Sequence, residues 1–121
     1  MALIYVYETT AIGVAGGHWL HKLSQERIDS TMSERALARV ANEMHDIIGV
    51  GAIMGFSKTK ISQYQDTYPH SVKQQFILMF TDWRRFATDK SVGQFVRLMR
   101  EADVDDSIVK RAIELDHVSD A

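Results

Sequence analysis

From about Ser30 onward, apolar residues recur three or four positions apart, the spacing of helices that each bury one face. Leu37, Val40, Ala41 and Met44 form the first stripe, and Thr31 with Glu34 provides a capping box at its start. Asp46 precedes a shorter stripe, Ile47, Val50 and Ile53 or Met54. It ends at Gly55, a residue suited to the left-handed position beyond a helix. Ser57 stands before Ile61 and Tyr64, and that run stops at Tyr68, which Pro69 restrains from helical backbone angles. Ser71 and Gln74 repeat the capping box before Phe76, Met79, Phe80, Trp83 and Phe86 or Ala87. Ser91 and Gln94 do so before Val92, Phe95, Val96 and Met99. A last stripe, Ile108, Val109, Ala112 and Ile113, opens at Asp105 or Asp106. No alternating strand pattern follows residue 8. None of these stripes is long enough to be helical alone in water, so the pattern predicts helices that gain their stability by packing on one another. The expected fold is all-α, a compact antiparallel six-helix bundle over residues 31–117 with a short tail, 118–121.

Residues 1–30 carry no such stripe. They are expected to be a linker, a partly disordered extension or one extra helix around Trp19, Leu20 and Leu23. Their leading run, MALIYVYETTAIGVAGGHWL, is interrupted by Glu8 and His18 and has no basic flank, which predicts neither a signal peptide nor a membrane span. A length of 121 residues fits one domain. The lack of cysteine excludes disulfides, thiolate nucleophiles and Cys-based metal sites, and a cytoplasmic location fits.

The net charge of −2 favours neither nucleic acid nor anionic membrane as partner, but its distribution along the chain is uneven. Between His70 and Arg100 there are six basic residues against two acidic ones; from Glu101 to Ala121 two basic residues face seven acidic ones. A module polarised in this way suits a partner of opposite charge.

In order and spacing, the helical segments resemble a death domain over Met32 to Leu115. The resemblance rests on ALARVANEM, on VGAIMGFSKTKI, on the turn at Tyr68–Pro69, on SVKQQFILMFTDW with its tryptophan, and on FVRLMREADVDDSIVKRAI. The chain departs from the family pattern at Ile47, where death domains often carry tryptophan, and at Gly51, where they usually carry alanine. The second helix is therefore expected to be loosely formed. The resemblance implies a non-catalytic assembly module in signalling, in cell death or innate immunity, using several surface patches to build asymmetric oligomers. Partners would be other death domains or further copies of the chain, with no nucleic acid, membrane, cofactor or metal.

Arg84 and Arg85 are the foremost candidates for such a surface, since guanidinium forks suit carboxylates on a partner. Lys73, Arg97 and Arg100 extend the basic side; Asp103, Asp105 and Asp106 form the acidic side; Lys58, Lys60 and Asp66 make a third patch. Head-to-tail contacts between unlike patches need not close on themselves. A competing reading takes IIGVGAIMGFSKTKISQYQ as a DNA-binding helix-turn-helix with Lys58 and Lys60 on phosphates. The acidic chain and the absence of arginine from its second helix weigh against it. His18 and His21 could share a metal on a helix but lack an evident third ligand, and His45 and His70 fall at helix junctions as polar turn residues. Ser33, Ser57, Ser71 and Ser91 each precede a helix, so they read as caps and not as nucleophiles. GVGAIMG lacks the strand and the Lys-Ser/Thr pair of a phosphate loop, and an enzyme is not expected.

Overall fold

The structure is a computed structural model describing the backbone of residues 17–120 and the side chains of residues 19–116. The expectations for residues 1–16 lie outside the described residues. A 3₁₀ helix, Gly17–Lys22, is followed by α1 (Gln25–Asp29), α2 (Glu34–Ala41), α3 (Ile47–Ile53), α4 (Lys58–Thr67), α5 (Val72–Phe86), α6 (Val92–Glu101) and α7 (Asp106–Asp120). The described chain is thus all-helical, with seven α-helices; the six from Glu34 onward are those the apolar stripes predict. Among the described residues there is no strand, and no helix is long and apolar enough to cross a membrane.

The caps explain where the helices begin. The hydroxyls of Ser33, Ser57, Ser71 and Ser91 accept from the amides of Ala36, Lys60, Gln74 and Gln94, and the Asp46 carboxylate accepts from Gly49 N at 2.9 Å. Each satisfies one of the orphan donors at a helix start. The expected Thr31 and Glu34 capping box does not form. Thr31 instead pairs with Ser91 in an isolated antiparallel bridge, fixed by Met32 N to Lys90 O at 3.0 Å and Val92 N to Ser30 O at 2.8 Å. That bridge holds the segments leading into α2 and α6 side by side.

Two helices end in the same way. Gly55 has φ 95°, with Phe56 N donating to Gly51 O and Gly55 N to Ala52 O; Asp103 has φ 60°, with Val104 N donating to Met99 O and Asp103 N to Arg100 O. Both are Schellman turns, in which a left-handed residue lets two amides return to the last carbonyls of the helix. Glycine adopts that conformation without steric cost. An aspartate there is uncommon, although aspartate tolerates it better than most residues.

The core is centred on Phe76, Met79, Phe80 and Trp83 of α5 and Phe95, Val96 and Met99 of α6. Val40 and Ala41 of α2 and Val109, Ala112 and Ile113 of α7 enclose them. Phe95 meets Phe80 edge-on at 5.3 Å and Trp83 at 5.5 Å, both within the range of favourable aromatic pairs. α2 lies against α5 and α7, α4 against α3 and α5, and α1 against α6. Two ambiguities of the stripes are resolved by packing: Met54 and Ala87 rest on the core, whereas Ile53 and Phe86 face outward.

The second predicted helix, α3, is not loose. Ile47, Val50 and Gly51 are buried, and a Cβ at Gly51 would stand 2.7 Å from Ile61 Cδ1 and 3.2 Å from Met79 Sδ. The missing side chain lets α3 approach α4 and α5 closely.

The stretch ahead of Thr31 packs on the bundle from residue 19 onward. Trp19 is buried, its Nε1 donates to Asp106 Oδ2, and the Arg100 guanidinium lies 5.9 Å from its ring centroid. Arg27 of α1 reaches α7, donating to Ile113 O at 3.0 Å and pairing at 3.6 Å with Asp116, a buried carboxylate. Its Nε has no hydrogen-bond partner among the described residues.

Candidate interaction surfaces

The basic residues between His70 and Arg100 do not form one patch. Lys73 and Arg84 stand near the two ends of α5, about 16 Å apart along its axis at 1.5 Å per residue. Arg97 lies exposed on α6, where it donates to Gln94 Oε1. Arg100 is half-buried between Asp106, 3.0 Å away, and the Trp19 ring.

Arg84, expected as a surface contact, is engaged within the fold. Its Nε donates to Met32 O at 2.6 Å and its Nη1 lies 3.7 Å from Glu34, so it ties the end of α5 to the start of α2. The sequence around Arg84 is the end of an amphipathic helix, and nothing in it shows that the Met32 carbonyl lies within reach. Arg85 is exposed, with its guanidinium 5.4 Å from the ring of the outward-facing Phe86. Arg84, Arg85 and Lys90 border a cleft of about 440 Å³ that also takes in Thr31, Glu34 and Thr81. Lys90 was not among the expected surface residues. It joins them because the bridge at Thr31 and Ser91 brings its loop beside α5.

The acidic side divides in a comparable way. Asp106 accepts from both Trp19 and Arg100 and is half-buried, so it serves the fold. Asp103 and Asp105 are exposed on the turn between α6 and α7. Hydrogen bonds from the Ser107 amide and then its hydroxyl hold the Asp105 carboxyl below the usual carboxylate range. These two join Glu43 and Asp46, from the loop between α2 and α3, around a cleft of about 380 Å³. Sequence reading treated Asp46 only as a cap and passed over Glu43. The signal is tertiary, the meeting of two loops from distant parts of the chain.

In the third patch Lys58 and Asp66 are exposed on α4, and Lys60 turns toward α5 to pair with Asp82 at 3.8 Å above the Tyr64 ring. Tyr64 Oη donates to the same carboxylate at 2.6 Å. Burial, then that bond and the Asp82 charge, push the phenol well above its ordinary pKa. Lys60 thus has a partner within its own bundle, while its side chain stays 45% exposed. His21, His45 and His70 are exposed, and among the described residues no three His, Asp or Glu side chains gather to hold a metal ion.

A last surface lies between α2, α5 and α7. It is a groove of about 550 Å³ in which Lys73 joins Arg35, Arg39 and Arg111. Comparison of the sequence with family models and with curated proteins finds no match.

Proposed function

We propose that the chain is a protein–protein interaction module of death-domain type, which assembles with further copies or with related helical domains in signalling. The observation that carries this reading is the pair of oppositely charged clefts on one helical bundle. One is bordered by Arg84, Arg85 and Lys90, the other by Glu43, Asp46, Asp103 and Asp105. The acidic turn of one copy fits the basic cleft of the next by charge, and because the two surfaces differ, contact between them propagates head to tail. The order of the six helices from Glu34 onward, with the Ser57 and Ser71 caps and Trp83 in the core, supports the death-domain resemblance. Within the basic cleft the contact falls to Arg85 and Lys90, with Arg84 holding the cleft in shape. Exposed ion pairs are worth only about 0.2–1 kcal/mol each, so assembly depends on several at once and weakens with salt.

Sedimentation across protein and salt concentration tests this. The parent chain is expected to form oligomers that dissociate as salt rises. Arg85→Gln with Lys90→Gln, and separately Asp103→Asn with Asp105→Asn, are expected to be monomeric, whereas mixing the two variants restores a one-to-one complex through the surviving pair of surfaces. A parent chain that is monomeric throughout would refute assembly between copies and leave a different helical domain as the partner, and variants that assemble as the parent does would refute the role of these two clefts.

A further inference from the structure

The groove between α2, α5 and α7 sets an apolar floor beneath a cationic rim. Ile77, Ile108 and Leu115 line it, with Leu115 44% exposed, while Arg35, Arg39, Lys73 and Arg111 supply four cations against the single carboxylate of Glu43. None of these four cations makes an ion pair among the described residues, although Arg27, Lys60, Arg84, Arg100 and Lys110 each do. Arg39 is half-buried, and its Nη1 is shut off from solvent with no hydrogen-bond partner among the described residues. A buried donor without an acceptor is costly, and native folds leave few of them.

From this geometry we infer that the groove is a docking site for an acidic amphipathic helix of a partner protein. The floor takes apolar side chains at i, i+3 or i+4 and i+7, and the carboxylates flanking that stripe meet the four cations. A volume of about 550 Å³ accommodates the inserted side chains of roughly two turns. Arg39, turning about its outer bonds, gives its unmet donor to one of the carboxylates in a bidentate contact. An anionic lipid headgroup or a nucleic-acid phosphate would satisfy the cations but leave the floor exposed. The assignment does not depend on head-to-tail assembly, since none of the four cations takes part in that contact, although Glu43 borders both surfaces.

The test is a titration of the isotope-labelled full chain, at a concentration where it is monomeric, with synthetic peptides constrained to be helical. One peptide carries a leucine stripe flanked by glutamates, a second carries lysine for glutamate, and a third has the composition of the first in scrambled order. The first is expected to bind, to shift backbone resonances along the groove faces of α2, α5 and α7, and to weaken as salt is added. Arg39→Gln with Arg111→Gln is expected to lower its affinity by about tenfold or more. Leu115→Ser, which removes floor and not charge, is expected to lower it as well while leaving the thermal transition in place. Absence of binding by the first peptide, equal binding by the scrambled peptide, or shifts confined to other faces would overturn the assignment. Stronger binding to phosphatidylserine vesicles than to the peptide would overturn it in favour of a membrane. Groove shifts produced by self-association alone would overturn it in favour of a contact between copies.

Discussion

Replacing Trp19 by alanine probes the part of the fold that the apolar pattern did not predict. Trp19 is 6% exposed, packs with the core and donates from Nε1 to Asp106, which Arg100 also holds. Removal of a buried tryptophan costs about 3–5 kcal/mol in lost transfer energy and cavity. Loss of the donor to a half-buried carboxylate falls within that range, because Arg100 still satisfies Asp106. Against a total stability on the order of 10 kcal/mol this is a large share, corresponding to a fall in melting temperature of roughly 12–20 °C for a chain of this size. Trp19→Phe keeps most of the apolar volume and removes the donor, so it isolates the hydrogen bond, at about 1.5 kcal/mol. Urea and thermal unfolding, followed by circular dichroism and by fluorescence of the remaining Trp83, measure both variants. A Trp19→Ala chain melting within about 2 °C of the parent, less than 1 kcal/mol by the same conversion, would refute the view that the stretch before Thr31 is integral to the bundle.

Four further outcomes are expected. Trp83→Ala, where α5 meets Phe95 of α6, should cost about 3–5 kcal/mol and lower the melting temperature about as far as Trp19→Ala does, so a transition within about 2 °C of the parent's would show that its burial contributes little. Asp116→Ala strands Arg27 in a largely buried site and should cost about 3 kcal/mol in urea titrations, whereas Arg27→Met with Asp116→Leu should recover much of the loss. Asp103→Gly relieves the left-handed strain at φ 60° and should raise stability by about 0.5–1 kcal/mol, seen as a higher urea midpoint at unchanged slope. The carboxyl of Asp105 is held low by Ser107, and that of Asp89 by hydrogen bonds from Ser91. A carboxyl with a lowered pKa in the folded state stabilises it above the ordinary carboxylate value and loses that contribution as the pH falls through the lowered one. The melting temperature should therefore hold from neutrality to about pH 5 and decline below about pH 4, less steeply for Asp89→Asn with Asp105→Asn.

What the sequence determined by itself is the local layer of this protein. Cap residues act over three or four positions and apolar stripes repeat every turn, so Ser57, Ser71, Ser91, Asp46 and Gly55 and the core face of α5 are legible in a single segment. The positions the pattern left open, Ile53 or Met54 and Phe86 or Ala87, lie at helix ends, where the facing neighbour chooses between them. Gly51 was read as a weakness because it departs from the alanine of the pattern the chain resembles, whereas what favours glycine there is the closeness of Ile61 and Met79, which no local pattern shows. The same limit governs the candidate surfaces. A count of charges along the chain placed Arg84, Arg100 and Asp106 with the residues that face outward. The fold then engaged Arg84 with the Met32 carbonyl and paired Arg100 with Asp106 beside Trp19, in contacts spanning up to 87 positions. It also gathered Lys90, Glu43, Arg35, Arg39 and Arg111 into clefts that no single segment contains. Side chains acquire such partners only when distant segments meet, so the tertiary structure alone decided which charges stabilise the bundle and which face outward for a partner.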